Sequence, residues 1–417
     1  MIKAGNTAKA FDVTVEKLVY GGLGFARHQG KVIFIPFSVP GDRLKVRAVE
    51  EKKTFVRAEI IKILKSGKGR VQPPCPHFGV CGGCQLQQMD YGLQVDAKGK
   101  ILQEIFHHRF PETRDLVIAM HACPQPLRYR SRARVQMRGC GPKAAVGFYR
   151  HRSHAVEDVE HCPLFRDSLN EALSALRQYR IKVETEAAAQ EMDVACSEEE
   201  GTWATAHTGS DVNEGAAPFL GTRRIEDVIL RRNVGDFLYM VTATAFFQAN
   251  DFVLPQLITV VKDLAQIGRH NAALDLFSGV GLFSLPLARI FEKVVAVESS
   301  KASCGLCISN AAAMGYGNIQ TVCADAAAWM NSETASGSCV FDLVVLDPPR
   351  TGAGGAVMES IRKCEPETII YVSCDPQTMS RDIAALSPHD YRIDFIQGLD
   401  MFPQTYHFET VARLIRK

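Results

Sequence analysis

A cysteine that closes an apolar run is the first residue in this chain whose setting points to chemistry. In Tyr371-Val-Ser-Cys-Asp-Pro-Gln-Thr378, Cys374 follows the run Thr368 to Val372 and precedes Pro376, which stops it. An earlier apolar run ends in Asp347-Pro-Pro-Arg350. Short apolar runs bounded by turn residues read as buried strands. A thiol at the end of one strand and an acidic loop at the end of another suit a nucleophile held beside a bound ligand.

From about residue 257 the pattern alternates between strand and helix. Strands are expected at Ala272–Phe277, Lys293–Glu298, Ile319–Cys323, Asp342–Asp347, Thr368–Ser373, Tyr391–Gln397 and Thr410–Ile415. Such alternation implies a mostly parallel, doubly wound sheet, whose ligands bind beyond the carboxyl ends of the strands. Those ends carry Ser278-Gly-Val-Gly281, Glu298, Asp325, Asp347 and Cys374. The run Gly279-Val-Gly281-Leu-Phe-Ser284 lacks the third glycine of the dinucleotide fingerprint, which argues against NAD or FAD. Glu298 is placed to accept from ribose hydroxyls. A nucleoside cofactor without a phosphate cradle, S-adenosylmethionine, fits this row best.

The segments before that sheet differ. Residues 11–64 break into short strands at Phe11–Tyr20, Lys31–Phe37, Arg43–Val49 and Phe55–Ile63, with glycine and proline turns. That is the pattern of a small β-barrel. The net charge is only +2, but residues 1–70 carry 15 Lys/Arg against 6 Asp/Glu, and residues 121–156 carry 8 Lys/Arg and no acid. Two basic segments on a nearly neutral chain point to an anionic partner, nucleic acid first. Residues 184–228 reverse the sign, with 11 acids and 2 bases, and residues 196–218 read as an irregular excursion. Gln94 to Phe110 has helical spacing. In Arg128-Tyr-Arg-Ser-Arg-Ala-Arg134 the arginines alternate. On a strand they would share one face, which must then be wet, paired with acids or bound to phosphate.

Cys75, Cys81 and Cys84 form a tight cluster, and Cys162 is a fourth thiol in His161-Cys-Pro163. Four thiolates suffice for tetrahedral zinc or an iron–sulfur cluster, and spacing does not choose between them. Cys304-x-x-Cys307 falls on an expected helix and reads as packing. The first ten residues carry no secretory signal, and no run approaches the length of a membrane span. The expected setting is therefore cytoplasmic and reducing, with cysteines as thiols or ligands rather than disulfides.

In this combination and order the motifs resemble the RNA uracil-5-methyltransferases, in particular the 23S ribosomal RNA branch with an N-terminal TRAM barrel and an iron–sulfur cluster. The resemblance runs from about residue 11 to 415. It rests on the four cysteines, Phe246-Phe-Gln-Ala-Asn250, Leu274-Asp-Leu-Phe-Ser-Gly-Val-Gly281, Leu346-Asp-Pro-Pro-Arg350, Ser373-Cys-Asp-Pro-Gln-Thr378, and Asp400-Met-Phe-Pro403 through His407-Phe-Glu409. Ser278 stands where a cysteine is common, Leu282 replaces an asparagine, and residues 196–224 match poorly.

The resemblance implies an α/β protein. A Rossmann-like S-adenosylmethionine-dependent methyltransferase domain spans residues 93–122 and 244–417. An OB-like TRAM barrel spans 1–66, and a central β-rich iron–sulfur domain spans 67–92 and 123–243. It implies Cys374 as nucleophile and Glu409 as base. Gln248, Phe277, Glu298, Asp325 and Asp347 would bind the cofactor, and Cys75, Cys81, Cys84 and Cys162 would hold a [4Fe-4S] cluster. The partner would be RNA, foremost 23S ribosomal RNA, with transfer RNA as the alternative. No membrane and no obligate protein partner are expected.

The chemistry itself calls for these parts. Carbon 5 of uracil is a poor nucleophile until a thiolate adds at carbon 6, and a base must later remove the proton at carbon 5. Two other readings compete. An amino-methylating nucleic-acid methyltransferase would use the acidic-Pro-Pro loop without a cysteine. A non-catalytic RNA-binding metalloprotein would not bind S-adenosylmethionine. RNA cytosine-5 methylases usually carry a second cysteine where this chain has Arg350.

Overall fold

The structure is a computed structural model that describes residues 10–139, 141–182, 190–197, 202–207, 229–386 and 390–417. The chain forms two compact units. The first comprises Met1–Ile101, Tyr149–Ala155 and Phe402–His407. The second comprises Leu102–Phe148, Val156–Met401 and Phe408–Lys417.

The first unit contains six strands: β1 (Ala10–Thr14), β2 (Lys17–Val19), β3 (Leu23–His28), β4 (Lys31–Pro36), β5 (Arg43–Glu51) and β6 (Phe55–Lys65). They pair in the order β1-β5-β6-β4-β3-β2. Period-two alternation sorts the side chains. In β5, Leu44 and Val46 are buried while Arg43, Lys45 and Arg47 are exposed. Leu44 and Val46 join Val13, Val15, Ile33, Ile35 and Val56 in one apolar core. Full burial of each such side chain contributes about 1.5–3 kcal/mol.

Two expectations change here. The single strand Phe11–Tyr20 is two strands, because Val15 donates its N–H to Asp42 O (2.9 Å) and the chain turns. The glycine-rich stretch after Gly22 is itself a strand, β3. A Cβ at Gly24 would lie 1.9 Å from Ser38 Oγ, so only glycine lets the two segments pass.

The first helix, α1 (Tyr91–Arg109), matches the expected helical stretch and runs from the first unit into the second. The second unit opens with β7 (Ala119–His121), β8 (Arg132–Arg138), β9 (Ala145–Tyr149), β10 (Val156–Asp158), helix α2 (Asp167–Lys182), β11 (Gln190–Ser197) and β12 (Thr202–His207). Five of these strands make a sheet ordered β10-β9-β8-β11-β12. Leu169, Leu173 and Leu176 of α2 pack on its Val135, Met137 and Val194. Part of the expected irregular excursion is thus paired strand, from Ser197↔Thr202 onward. The remainder lies outside the described residues.

The alternating arginines do not share one strand face. Arg128 has φ +52° and strand β8 begins only at Arg132. Arg128 pairs with Asp167, and Arg134 pairs with Asp193 at 3.0 Å. Arg132 instead turns inward and donates to the carbonyls of Ala243 (2.8 Å) and Ala245 (2.6 Å).

The rest of the unit is the doubly wound part. A hairpin of β13 (Leu230–Val234) and β14 (Phe237–Val241) leads to α3 (Leu254–Ala265), β15 (Ala272–Leu276), α4 (Ser284–Ala288), β16 (Lys293–Glu298) and α5 (Lys301–Ala313). Then follow β17 (Ile319–Cys323), α6 (Ala326–Ser336), β18 (Leu343–Leu346), α7 (Gly355–Cys364), β19 (Thr368–Ser373), α8 (Pro376–Ile383), β20 (Tyr391–Leu399) and β21 (Glu409–Arg416). The eight-stranded sheet is ordered β17-β16-β15-β18-β19-β21-β20-β7. Strands β15 to β19 pair in parallel, and β21 is antiparallel to both neighbours. Every residue of β18 and β19 is buried, as expected of strands covered on both faces. The chain leaves β15 for β16 and returns to β18 on its other side. That reversal opens a crevice at the carboxyl ends of β15 and β18.

One cysteine expectation fails. Cys339 and Cys364 form a disulfide between the segment after α6 and the end of α7. The ten other described cysteines form no disulfide.

Candidate active site

Cys374 leaves β19 as a half-buried residue wedged between that strand and α8. The exit is fixed on both sides. Asp375 N donates to Ser373 Oγ (3.1 Å), and Asp375 Oδ1 accepts from Gln377 N (2.9 Å) and Thr378 N (3.0 Å), capping the helix. Ser373 pairs with Thr410 across the β19–β21 ladder, so Cys374 and Glu409 come next on facing strands.

Glu409 is buried, and its Oε2 has no hydrogen-bond partner. Burial raises its carboxyl well above the usual range. Asp347 adds to the rise and Arg350 opposes it. Burial likewise pushes the Cys374 thiol up to about 12. Glu409 and Asp347 add to this, while Arg350 pulls it down through its charge and a hydrogen bond to the sulfur. Asp347, half-buried at the end of β18, is raised by burial and by the charge of Asp275. Cys374, Glu409, Asp347 and Arg350 therefore form one electrostatic cluster. The structure brings together three residues the sequence singled out and adds a fourth, Arg350, which the sequence had placed in the Asp347-Pro-Pro-Arg350 loop without a role.

Of the cofactor candidates, Phe277, Glu298 and Asp325 fall at the carboxyl ends of β15, β16 and β17, and Gln248 lies between β14 and α3. Phe277 follows β15 with φ +62°, a left-handed conformation rare outside glycine, which turns the chain into the glycine loop. Glu298 Oε2 accepts from Gly279 N (3.0 Å), and its Oε1 accepts from Ser300 N (2.7 Å). Oε1 also accepts from Ser299 Oγ (3.3 Å), which leaves a lone pair on Oε2. Asp325 is exposed and caps α6 through Oδ1 to Ala328 N (2.9 Å). Gln248 is buried. Its neighbours are held in place. Phe247 packs on Tyr239 with ring centroids 5.4 Å apart, and Ala249 O accepts from Ser131 N (2.9 Å). Phe246, by contrast, is 70% exposed.

Asp275 is the acid behind this row. Its Oδ2 accepts from Ser284 Oγ (2.5 Å), while its Oδ1 is buried without a partner. Burial pushes it up to about 7, against the pull of the Ser284 hydrogen bonds. Asp275 Oδ1 and Ser278 Oγ are buried without a partner, and the Glu298 carboxylate ends the neighbouring strand.

The cysteine cluster stands differently. Cys75, Cys81 and Cys84 lie in the first unit, where Gly83 N donates to Cys81 Sγ (3.4 Å). Cys162 lies in the second, packed against the α2 core, with its N–H on Asn170 Oδ1 (2.9 Å). Among the described residues no group of three or more His, Cys, Asp or Glu side chains is arranged to hold a metal ion. No chemical step is routed through a metal at these thiols. Cys304 and Cys307 are buried on α5, as packing residues are.

Residues 220–417 match the tRNA (Uracil-5-)-methyltransferase family, and residues 7–61 match the TRAM domain. The chain is 30% identical to the 23S rRNA (uracil(1939)-C(5))-methyltransferase RlmD of Shewanella sediminis, over 95% of this chain and 94% of that one. It is also 30% identical to an RNA methyltransferase of Aquifex aeolicus, over 97% and 98% of the two chains. The chain belongs to the RNA uracil-5-methyltransferase family. Its fold is that of the Pyrococcus abyssi tRNA (uracil-54, C5)-methyltransferase solved with S-adenosyl-L-homocysteine. The two share a TM-score of 0.73 and 24% identity, over 97% of this chain and 100% of that one. As an RNA uracil-5-methyltransferase it draws its methyl group from S-adenosylmethionine. No helix among the described residues is long and apolar enough to cross a membrane.

Proposed function

We propose that this RNA uracil-5-methyltransferase modifies a uridine of 23S ribosomal RNA through a covalent adduct between Cys374 and carbon 6 of the base. The observation that carries the reading is the meeting of Cys374 and Glu409 at facing strand ends beside the Asp347 loop. Full-length relatives named for 23S ribosomal RNA favour that substrate over transfer RNA.

Bound S-adenosylmethionine supplies an electrophilic methyl on its sulfonium. The protein supplies everything else. Gln248, Phe277, Glu298 and Asp325 hold the nucleoside end, and Asp347 faces the reacting end. Cys374 Sγ adds to carbon 6 and makes carbon 5 nucleophilic. After methylation Glu409 takes the proton from carbon 5, the carbon 5–carbon 6 double bond re-forms, and the sulfur leaves. A carboxylate held in an apolar, unpaired setting is a stronger base than one in water, which suits Glu409 to a carbon acid. The uridine must be unstacked to reach the sulfur, and exposed Phe246 is placed to stack on a base.

In the proposed organisation, residues 1–66 form the RNA-binding barrel, 67–92 and 123–243 the central domain, and 93–122 and 244–417 the catalytic domain. A [4Fe-4S] cluster on Cys75, Cys81, Cys84 and Cys162 rests on the resemblance to the cluster-bearing branch of the family and would be structural.

Mapping 5-methyluridine in ribosomal and transfer RNA from cells lacking the protein tests the substrate. Loss at one 23S position is expected. Loss confined to transfer RNA would overturn the ribosomal assignment.

A further inference from the structure

The nucleophile sits among acids. Glu409 and Asp347 both face the Cys374 sulfur, Asp275 stands behind Asp347, and burial disfavours charge on all of them. A thiolate beside two carboxylates in such a place needs a cation, and the group that faces both Cys374 and Glu409 is the Arg350 guanidinium.

The placement of Arg350 is built into the topology. Strands β18 and β19 are hydrogen-bonded parallel neighbours with Leu346 opposite Tyr371. Arg350 lies four residues beyond Leu346 and Cys374 three beyond Tyr371, so the two leave adjacent strand ends together. The Arg350 turn is then tied to the nucleophile's own helix. Asp382 of α8 accepts from Ala353 N (2.8 Å) and from Tyr371 Oη (2.8 Å). Arg381 donates to Thr351 O (2.8 Å), and Gly352 N donates to Pro349 O (2.8 Å). Gly352 has φ +86°, and a Cβ there would lie 2.3 Å from Asp382 Oδ2, so the turn closes tightly on that carboxylate. The clamp fixes the backbone on both sides of Arg350 but leaves its guanidinium free of any ion pair with a described carboxylate.

We infer that Arg350 is a catalytic residue that donates to Cys374 Sγ and holds the sulfur as a thiolate for attack on the uracil ring, and that Asp382 is the positioning residue that keeps Arg350 there. The inference rests on the covalent reading above. It assigns the activation of the nucleophile to a fixed cation rather than to a neighbouring base, since the carboxylates nearby are themselves raised. Deprotonation of the thiol passes its proton to solvent. Attack forms the sulfur–carbon 6 bond and shifts the ring's π electrons toward the carbonyl at carbon 4. Elimination reverses this, so no oxidant or reductant is needed.

The test uses the full-length protein without RNA. Iodoacetamide alkylation of Cys374 is followed by mass spectrometry of its peptide from pH 6 to 10, in wild type, R350K and R350M. The expected result is R350M alkylated at least ten-fold more slowly near pH 8, with its pH–rate curve displaced to higher pH, and R350K close to wild type. D382N should move the same curve upward by a smaller amount. Equal rates and superimposable curves in wild type and R350M would overturn the inference. A second arm separates this from the covalent reading itself. Wild type is incubated with S-adenosylmethionine and RNA carrying 5-fluorouridine. Trapping by wild type with slower trapping by R350M supports Arg350. Trapping at equal rates by both removes Arg350 and leaves Cys374 in place. No trapping by wild type removes the adduct, and the inference with it.

Discussion

Cys374 and Glu409 are the first residues beyond the Ser373–Thr410 rung of an antiparallel ladder, so a potential nucleophile and a potential base share one strand end. The thiol is half-buried and the carboxyl buried, and the carboxyl raises the proton affinity of the thiol. The register of two strands, rather than any loop, sets their separation.

Replacing Glu409 by glutamine keeps the shape and removes the base. Methylation should slow by about 10²–10⁴-fold, the range typical for a positioned base. Because the change falls after methyl transfer, a protein–RNA adduct stable to denaturing electrophoresis should accumulate on unmodified RNA. Normal turnover without a slower-migrating band would remove Glu409 from the mechanism.

The acids of the crevice fix a pH dependence. Asp275 titrates near 7 in the folded protein against an ordinary value of 3.8. Its folded value is raised, so its contribution to stability is fully present below about pH 3.8 and is lost as pH rises through 7. Without cofactor, unfolding free energy of wild type should therefore fall relative to Asp275→Asn between pH 4 and pH 7. One pKa unit corresponds to about 1.4 kcal/mol, so a fall of about 3 kcal/mol relative to Asp275→Asn is expected between pH 4 and pH 7. Denaturant melts at the two pH values measure it, and a pH-independent difference would contradict the assignment. The raised Cys374 and Glu409 both require activity to climb with pH from 6 to 9.

Phe246 is exposed beside Phe247, which is packed in place. If it stacks on an RNA base, Phe246→Ala should weaken RNA binding by about 5- to 100-fold, since such stacking contributes about 1–3 kcal/mol. Calorimetric affinity for S-adenosylmethionine should not change. Unaltered RNA affinity would leave Phe246 without a role in recognition.

Anaerobically purified protein should contain about four irons with four acid-labile sulfides if the cluster reading holds. Cys162→Ser should lower that content. One zinc and no iron would replace the cluster by a tetrahedral zinc site, and no metal at all would leave the four cysteines as thiols.

Much of the catalytic sheet was legible in the sequence. Strands β16, β17 and β19 begin and end where expected, and β19, buried on both faces like β18, is a continuous hydrophobic stretch. The polar residues that end those runs, Glu298, Asp347 and Cys374, fall at the crevice for the same reason. Other features depended on distant partners. Strand β3 was hidden by glycines whose purpose is the close approach of Ser38. The arginine alternation at 128–134 looked like a strand face, but Arg128 adopts positive φ and Arg132 caps carbonyls of the 243–245 segment. Arg350 acquired meaning only when β18 and β19 became neighbours. The Cys339–Cys364 disulfide joins segments 25 residues apart, and nothing in local spacing marked it.

The central claim is a bond between one sulfur and one base. RNA carrying 5-fluorouridine blocks proton removal at carbon 5 and should leave the adduct intact. After digestion, mass spectrometry should find the methylated fluorouridine on the peptide containing Ser373-Cys374-Asp375, and Cys374→Ala should yield none while still binding S-adenosylmethionine. Full methyl transfer by Cys374→Ala, or a nucleotide found on any other cysteine, would contradict the account.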